Sequence, residues 1–536
     1  MEDDPDEAEK SAFRCDLVKD QSLFLAIDNG TQSLRALIFD AKGNLLVKSR
    51  QVFQPYVSPQ PGWAEQDPEV FWEALCTACR QLWAKEPRLK ARLVGVALTT
   101  QRATVVCLDN LGRPLRPAIH WLDQRTAEIE KVGGLWGWLF RLAGVRETVT
   151  YLQRNAESNW LRRHQPEIWR KTRKFLLLSG FLHHRITGQY TDSTACQVGY
   201  LPFDYKKQRW AGARDWRWQA LGIQPEMLCD LVPPGSILGE VTGEAAQQTG
   251  IPRGLPVVAA AADKACEILG TGVLSPDTAS ISLGTTASIN TLHQKYVEAF
   301  PFIPPYPAPI AGAFSTEIQV FRGYWMVEWF KREFGHPEMI RAKNEDAPVE
   351  SYFETLLQQT QPGAEGLILQ PFWSPGLKFP GPEARGTVAG FTDRQGRAHL
   401  YRAIIEGLAF ALRAGKERLE RRAKTPITSA HASGGGSQSD GALRITADIL
   451  GLPVKRFRTY EASGLGAAII AAVALGSHPN HQAAAKAMTQ EVQTFVPHPD
   501  HRDLYDRIYR RVYAKLYGKL RAIYQNLKSI KEISGP

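Results

Sequence analysis

The chain has 536 residues, a length that exceeds what one hydrophobic core supports and that predicts two or three domains. No apolar run is long enough to span a bilayer, and the acidic start MEDDPDEAEK is unlike a signal peptide, so we expect a cytoplasmic protein without a membrane partner. The net charge of +10 is spread among interleaved acidic and basic residues, which favours anionic small substrates, such as nucleotide or sugar phosphates, over nucleic acid.

The first half of the chain has the pattern of an α/β domain, expected over residues 22–268 after a disordered acidic tail at 1–21. β-rich segments alternate with helical ones, as in sheets that are covered by helices. The predicted strands are Leu23–Asp28, Leu34–Phe39, Leu93–Thr99 and Thr104–Leu108, and the predicted helices are Pro68–Trp83 and Asp123–Val132. A stretch rich in Trp, about 136–230, is expected to be a helical insertion that forms a wall of a cleft.

The second half follows an apolar strand that runs into a helix within Leu255–Gly272, and we expect a domain at 269–480. A hinge around 265–280 would place a ligand cleft between two domains. A basic helical extension is expected at 481–536. Aliphatic residues recur there at helical spacing from Leu504 to Leu527, with tyrosines beside them, which predicts a terminal helix docked on the last domain.

Two strand-turn-strand segments with a Gly-Thr turn lie roughly 250 residues apart, as a duplicated unit predicts. Their turn residues are Gly30, Thr31 and Gln32 in the first and Gly284, Thr285 and Thr286 in the second. Glycine lets the backbone approach an anion closely, and the Thr hydroxyl adds a donor. The favoured interpretation is a phosphate chain held between the two turns. Two ordinary β-hairpins are the alternative, because Asn29-Gly30 is itself a hairpin signal.

Two carboxylates follow apolar strand segments. Asp28 lies two residues before Gly30, where it could hold Mg²⁺, partly through water, or simply open a turn. Asp263 follows the run VVAAAA and opens a predicted helix. It could serve as a structural N-cap. It could instead stay ionised at the positive end of the helix and accept a proton from a substrate hydroxyl.

A glycine-rich segment, ASGGGSQSD from Ala432, precedes a predicted helix. Glycines allow flat, close contact with a base or ribose, although a helix-entry loop would have the same composition. Its position after the second Gly-Thr turn favours a nucleotide site. The candidate residues are Gly434, Gly435, Gly436 and Gln438.

Polar residues at or just beyond strand ends form a candidate site for a hydroxylated substrate. Amide and charged groups bind hydroxyl groups, while Trp packs on CH faces. The candidates are Gln101, Arg102, Trp121, Asp123, Asp263 and Lys264. For Asp123, a purely structural ion pair with Arg125 is the alternative.

With these residues taken together, the chain resembles the FGGY family of carbohydrate kinases, in the superfamily with the actin, hexokinase and heat-shock chaperone ATPase fold. The likeness runs from about Leu23 to Gly476 and is carried by DNGTQSLRALIFD, GWAEQDPEVFW, LRPAIHWLDQR, ADKACEILGTG, ISLGTTASI, GTVAGFTDRQGRAHLYRAIIEGLAF, ASGGGSQSD and EASGLGAAIIAA. A further family signature, with a Lys before a Trp, is poorly matched by ESNWLRR around Trp160. The resemblance implies two duplicated ribonuclease H-like α/β domains that flank an interdomain cleft.

The same resemblance implies phosphorylation of a sugar or polyol hydroxyl by ATP with Mg²⁺. By position, Asp263 resembles the catalytic base and Asp28 the metal-associated carboxylate. The two Gly-Thr turns resemble the phosphate contacts, and Gly435 with Gly436 the adenosine contacts. Closure of the domains would exclude water as a competing acceptor. A homodimer is one assembly that the sequence leaves open.

The segment TTQRATVV bears on substrate choice and matches no member type fully. Glycerol kinases resemble it at Gln101 and Arg102 but have Glu where this chain has Ala103, and xylulokinases usually follow the Gln with Met-His. Lys264 adds a cation that both types lack at this position. We expect a ketopentose such as xylulose or a related ketose first, then a pentitol or erythritol, then glycerol. A non-catalytic sugar sensor and an ATP-driven conformational protein of the same fold are the alternatives.

Overall fold

The computed structural model describes residues 22–128, 134–142, 146–374, 376 and 380–530. The acidic tail expected at 1–21 lies outside the described residues. Within these ranges, every helix is too short or too polar to cross a lipid bilayer. Two large sheets, one in each half of the chain, organise the structure.

The first large sheet has six strands and is centred on Leu23–Asn29, which is buried at every position. Its apolar side chains face both sides of the sheet, as expected for a strand covered on two faces. In order, the strands are Leu45–Val52, Ser33–Asp40, Leu23–Asn29, Leu93–Thr100, Pro256–Val258 and Ile237–Glu240. The first three form an antiparallel meander, the next two run parallel to the central strand, and the last is antiparallel to its neighbour.

The second large sheet has seven strands and repeats this topology. In order, they are Tyr306–Pro307, Phe314–Val320, Ala287–His293, Thr278–Leu283, Ser429–Ser433, Val454–Phe457 and Glu491–Phe495. Apart from the added edge strand Tyr306–Pro307, the same succession recurs: an antiparallel meander, two parallel strands and an antiparallel edge. The prediction of a duplicated α/β unit is confirmed.

Helices cover both sheets. Those of the first half are Pro68–Lys85, Gly134–Leu142, Arg146–Asn155, Glu157–His164, Pro166–Lys171, Leu178–Thr187, Trp216–Leu221, Gly243–Thr249 and Asp263–Gly270. Those of the second half are Trp325–Phe334, His336–Glu345, Val349–Gln358, Arg397–Ala423, Asp440–Leu450, Ala462–Ala474, His481–Met488, Pro499–Ile508 and Ala514–Ser529. Short 3₁₀ helices are Pro87–Arg92, Thr194–Cys196, Pro225–Met227, Ala364–Gly366 and Gly435–Gln438, and Tyr509–Tyr513 is a π-helix.

Smaller sheets extend the two halves. A four-stranded sheet comprises Glu65–Gln66, Ala118–Ile119, Val105–Leu108 and Lys174–Leu177. Three two-stranded sheets pair Phe203–Asp204 with Arg209–Trp210, Asp230–Val232 with Thr191–Ser193, and Ile368–Gln370 with Thr387–Ala389. The strand predicted from Thr104 therefore begins at Val105 and lies in the small four-stranded sheet rather than in a large one.

The predicted helix Asp123–Val132 is wrong over its described part, because residues 123–128 are irregular. The Asp123 carboxylate accepts hydrogen bonds from the backbone N–H groups of Ala64, at 2.7 Å, and of Arg125, at 2.9 Å. A short acidic side chain that bonds nearby backbone N–H groups stabilises a turn in place of a helix. The helix predicted from Pro68 is present, and Asp67 caps it by accepting from the Glu69 N–H at 3.0 Å.

The two halves share a continuous core where the helices Asp263–Gly270 and Ala462–Ala474 cross. Glycines permit the close crossing: a Cβ placed on Gly466 would lie 1.9 Å from the Cys266 carbonyl oxygen. The second helix packs, through residues such as Leu465, on the face of the first sheet lined by Phe24. A helix of the second half is thus part of the core of the first.

The C-terminal helical segment buries its tyrosines, and some of its aliphatic residues are exposed. Val512 is 44% exposed and Ile523 53%. The buried side chains are Tyr505, Tyr509, Tyr513, Tyr517 and Tyr524. Tyrosines spaced by four residues would drift by about 40° per step around an α-helix of 3.6 residues per turn. The wider turn of the π-helix Tyr509–Tyr513 reduces this drift and keeps the tyrosines on one face.

Candidate active site

The first Gly-Thr turn joins the two strands that begin the first sheet. Its Gly30 N–H donates to the Ser33 carbonyl at 3.1 Å, which closes the turn. The Trp121 indole N–H donates to the Thr31 hydroxyl at 3.1 Å. The structure thus brings Trp121, which is 38% exposed, onto the turn, while Gln32 is exposed beside it.

The second Gly-Thr turn lies against the glycine-rich segment. Gly434 has a φ of +79°, and a Cβ on it would lie 3.0 Å from the Gly284 backbone nitrogen. A Cβ on Gly436 would lie 2.4 Å from the Tyr324 ring, whereas one on Gly435 would meet nothing within 4 Å. Glycine is therefore required at 434 by conformation and contact and at 436 by contact alone. At 435 it leaves open space.

The exposure of these turns suits ligand contact. Thr285 and Gln438 are exposed, and Thr286 donates its hydroxyl to the Phe321 carbonyl at 3.2 Å. The Arg456 guanidinium donates to the carbonyl of Ser437 at 2.8 Å, which holds the 3₁₀ turn from behind. The second turn and the glycine-rich segment together form a candidate nucleotide surface.

Asp28, one residue before the end of the central strand of the first sheet, is a buried carboxylate. Arg35 Nη1 lies 2.9 Å from Asp28 Oδ2, and Arg35 Nε lies 3.3 Å from Glu461 Oε2 of the second half. Burial raises the pKa of Asp28 to about 6; the charges of Glu461 and Asp263 act in the same direction, and Arg35 opposes them. Asp28 and Asp263 therefore lie close enough to interact electrostatically.

Asp263 is the first residue of its helix, and Ala262 occupies the N-cap position. Its Oδ1 accepts the Lys264 N–H at 2.8 Å. The side chain remains 26% exposed. Burial raises the pKa of Asp263, opposed by the neighbouring Arg102 and Lys264. Asp263 is a water-accessible carboxylate with increased basicity, located at the positive end of a helix.

Arg102 is held by residues of the second half. Its Nη1 lies 2.8 Å from Glu317 Oε2, its Nη2 lies 3.4 Å from Glu317 Oε1, and its guanidinium lies 5.0 Å from the centre of the Tyr306 ring. Its Nε is 3.8 Å from Asp263 Oδ1. Sequence reasoning identified Arg102 and Asp263 but missed Glu317 and Tyr306.

Lys264 also links the two halves. Its ammonium group donates to Glu267 Oε2 at 2.6 Å and to the Ser282 hydroxyl at 2.7 Å. Ser282 lies on the strand that leads into the second Gly-Thr turn, and the Ser433 hydroxyl donates to Glu267 Oε1 at 2.6 Å. The Lys264 ammonium group is engaged with protein groups, which ties the helix of Asp263 to the candidate nucleotide surface.

Gln101 and Asp123 have structural partners. Gln101 Oε1 and His120 Nε2 lie 2.9 Å apart, and burial lowers the pKa of His120 to about 4, so its ring is neutral. The Gln101 side-chain nitrogen is buried and has no partner within the described part of the chain. Asp123 accepts two side-chain bonds from Arg125, both at 2.7 Å. Arg125 itself stacks on Trp63 at 4.0 Å, so the Asp123 carboxylate is engaged in a buried ion pair.

Glu157 is a carboxyl near this site that sequence reasoning missed. It begins the helix Glu157–His164, in the stretch that departs from the family signature. Burial raises its pKa to about 8, and the charge of Asp123 adds to this effect. It is therefore protonated at neutral pH. It also interacts with Tyr200, which interacts in turn with Tyr306.

A cavity of about 10 Å³, which has room for about one water molecule, lies between the two halves, and Ala262 and Lys264, the chain neighbours of Asp263, are among its lining residues. Its polar lining comes from both halves: Arg102, Lys264, Asn290, Tyr306, Ser315 and Glu317. The Ser315 hydroxyl is buried and lacks a partner among the described residues. A cavity of this size is too small for a sugar, and its lining groups mark the place where the two halves meet.

The chain matches family models and known proteins over most of its length. The model of the N-terminal domain of the FGGY family of carbohydrate kinases matches residues 23–270, and that of the C-terminal domain matches residues 279–475. The chain is 29% identical over 488 residues to an uncharacterized sugar kinase, YgcE, of Escherichia coli K12, with 90% of each chain covered. It is 26% identical over 493 residues to a xylulose kinase of Lactococcus lactis, with 90% of this chain and 94% of the relative covered.

The fold has solved counterparts. A xylulose kinase from Rhodospirillum rubrum superposes with a TM-score of 0.78 at 24% identity, over 94% of this chain and 100% of that one. At this level of identity the likeness shows the shared fold.

Proposed function

The chain belongs to the FGGY family of carbohydrate kinases, and we propose that it transfers the γ-phosphoryl group of ATP to a hydroxyl of a ketose, with a ketopentose such as xylulose as the first candidate. It is a carbohydrate kinase that uses ATP and a small carbohydrate substrate. The observation that carries the proposal is the setting of Asp263: a partly exposed carboxylate at a helix start, with the Arg102 Nε 3.8 Å from its Oδ1, where the two halves meet.

In the proposed reaction Asp263 accepts the proton of the attacking hydroxyl. The raised pKa of Asp263 makes it a better proton acceptor than an ordinary carboxylate, while its position at the helix start supports the ionised form. Arg102, whose Nε lies 3.8 Å from Asp263 Oδ1, would donate a hydrogen bond to the acceptor sugar. The sugar then attacks the γ-phosphorus in line, and the phosphoryl group passes to the sugar oxygen as the bond to ADP breaks.

We assign the nucleotide to the second half. The exposed Gly435 and Gln438 would contact the adenosine, and the N–H groups of the two Gly-Thr turns would contact the phosphates. The contact of Gly434 with Gly284 supports this assignment because it places the adenosine segment next to a phosphate turn. In the same assignment, residues 22–268 bind the acceptor and contact the phosphates, and residues 269–480 bind ATP.

The residues present fit a single Mg²⁺. Among the described residues no group of three His, Cys, Asp or Glu side chains could hold a metal. Mg²⁺ is usually held by one or two carboxylates, substrate phosphates and water, so such a group is not required. Asp28 is a buried carboxylate whose charge Arg35 compensates only in part, and it would hold the ion. When bound, Mg²⁺ supplies neutralisation of phosphate charge.

One feature, the residue at position 103, supports a ketose over glycerol. Ala103 leaves the Glu position of glycerol kinases without a carboxylate, and its backbone is held at a φ of +52° by a bond from its N–H to the Val198 carbonyl at 3.0 Å. A site that lacks a hydroxyl-binding group loses most of its preference for the substrate that needs it. The relatives include both a xylulose kinase, 26% identical, and a glycerol kinase, 28% identical, and do not separate the two substrates. A pentitol, erythritol or glycerol kinase remains the second candidate, because Gln101 and Arg102 are shared with glycerol kinases.

The experiment measures ADP release with Mg-ATP across ketopentoses, ketohexoses, pentitols, erythritol and glycerol. We expect one ketopentose to stimulate the parent most strongly, and Asp263→Asn to reduce that stimulation about 100-fold or more. Asp503→Asn, on the exposed side of the C-terminal helix, is the matched control and should behave like the parent. Stimulation that survives in Asp263→Asn would refute the assigned base. Stronger stimulation by a polyol would move the substrate assignment to the second candidate.

A further inference from the structure

The contact between Arg102 and Glu317 joins the two halves of the chain at the acceptor site. Arg102 follows a strand of the first sheet, and Glu317 lies on the strand Phe314–Val320 of the second. The two nitrogen-oxygen distances, 2.8 and 3.4 Å, describe a two-pronged pairing. Such pairing orients a guanidinium as well as attracting it.

Neighbouring groups of the second half hold both Glu317 and Arg102 in position. Glu317 lies opposite Asn290 in the sheet register, so its strand cannot shift without disturbing the second sheet. Its side chain is only 4% exposed, and a buried carboxylate without a partner is costly. The Tyr306 ring supports the guanidinium at 5.0 Å and also comes from the second half. The second half therefore determines where the Arg102 guanidinium points.

Two carboxylates compete for this guanidinium. Glu317 holds it at 2.8 Å, and Asp263 lies 3.8 Å from its Nε. If the second half moved away, Asp263 would be the nearest anion to Arg102. A hydrogen-bonded ion pair, shorter than the present 3.8 Å contact, would then occupy the carboxylate that must accept the substrate proton. Pairing with Glu317 at 2.8 Å leaves Arg102 only a longer contact with Asp263, at 3.8 Å, which is beyond hydrogen-bond distance.

We propose that Glu317 is a positioning residue for acceptor phosphorylation: by holding Arg102 from the second half, it completes the acceptor site and leaves Asp263 free only when the two halves are together. The inference rests on the proposed function. The inference goes beyond the proposed function because it makes acceptor binding depend on Glu317, which lies outside residues 22–268. When the two halves are apart, the acceptor site would be incomplete, and water that enters it would be a poor phosphoryl acceptor.

The test compares Glu317→Gln with the parent on the acceptor that the parent phosphorylates best. We expect kcat/KM for the acceptor to fall at least tenfold while the KM for ATP stays within twofold of the parent. Glu317→Asp keeps the charge and should recover part of the loss. Glu338→Gln is the matched control, because Glu338 pairs with Arg397 at 2.5 and 2.9 Å in the same half without contact to the cavity lining. It should leave acceptor kinetics unchanged.

A double-mutant cycle separates positioning from loss of folding. Arg102→Ala should reduce acceptor kcat/KM at least as much as Glu317→Gln, and the double variant should lose no more than Arg102→Ala alone, because Glu317 acts through Arg102. Additive losses, or acceptor kinetics unchanged in Glu317→Gln, would overturn the inference while leaving the kinase assignment intact. A parent that phosphorylates no acceptor would overturn the proposed function and this inference with it.

Discussion

The Cα of Gly466 lies so close to Cys266 that a Cβ on it would fall 1.9 Å from the Cys266 carbonyl oxygen. The reverse contact is equally tight, since a Cβ on Gly270 would fall 1.9 Å from the Ala462 carbonyl oxygen. Two glycines, one on each helix, thus set the distance at which the helices Asp263–Gly270 and Ala462–Ala474 cross. This crossing also fixes the start of the helix that carries Asp263.

Gly466→Ala should therefore destabilise the protein by about 3 kcal/mol, because overpacking of this kind forces backbone shifts. Gly518→Ala is the control: Gly518 lies within the helix Ala514–Ser529 with nothing within 4 Å of a new Cβ, and Ala there should stabilise by about 0.5–1 kcal/mol. Chemical denaturation of both variants provides the measurement. Equal stability of the two would contradict the close crossing.

Changes at the triple glycine should have separable effects. Gly435→Val adds a side chain to open space, so we expect the KM for ATP to rise several-fold, with stability and acceptor KM near the parent values. Gly436→Ala would push against Tyr324 and should lower the midpoint of unfolding. Steady-state kinetics with a thermal unfolding scan distinguishes them. A normal ATP KM in Gly435→Val would place the nucleotide elsewhere.

The Asp123–Arg125 pair should behave as a structural element. Both side chains are at most 5% exposed, and removal of one partner from a buried pair costs about 3–5 kcal/mol. We expect Asp123→Asn to unfold at a markedly lower denaturant concentration than the parent. Glu167→Gln, which breaks an exposed pair with Arg170, should change stability by less than about 1 kcal/mol. If Asp123→Asn retains full stability and loses only acceptor binding, Asp123 is a substrate ligand instead.

Glu157 should make stability depend on pH. Its pKa is about 8 in the folded protein against 4.5 ordinarily, so between these values the unfolded chain releases a proton that the folded chain keeps. The carboxyl therefore contributes stability that is complete below about pH 4.5 and is lost as the pH rises towards 8. Glu157→Gln lacks this loss, so its stability relative to the parent should increase over that interval. Denaturant midpoints of the parent and of Glu157→Gln, measured at several pH values, test this effect. A difference between the two proteins that stays constant with pH would rule out a contribution from Glu157.

Local signals in the sequence were sufficient for much of the fold. The strand bounded by Leu23 and the helix that begins at Pro68 are both present, because burial on two faces and an Asp-Pro helix start are encoded within a few residues. The repeated Gly-Thr turns indicated the duplication that the two sheets show. Helix propensity failed after Asp123, where side-chain bonds to the backbone stabilise a loop.

The missed residues depend on contacts that no local pattern encodes. Glu317 meets Arg102 across 215 positions of the chain, and within its strand it is one polar residue among others. In the C-terminal helix, aliphatic and tyrosine positions have the same periodicity, so spacing could not decide which face is buried. Hydrogen-bond partners inside the fold decide it, such as Glu406, which accepts from the Tyr505 hydroxyl at 2.7 Å.

The ion pairs around the acceptor site bear on how the product leaves. Within the described residues, the ion pairs that include Asp28, Asp263 and their charged neighbours join five carboxylates to four cations: Asp28, Asp263, Glu267, Glu317 and Glu461 to Arg35, Lys48, Arg102 and Lys264. The local balance is therefore negative, opposite in sign to the net charge of +10 of the whole chain. A neutral sugar enters such a site without electrostatic cost, whereas a phosphate monoester with nearly two negative charges is repelled from it. If the proposed function holds, we expect this charge balance to favour release of the phosphorylated product.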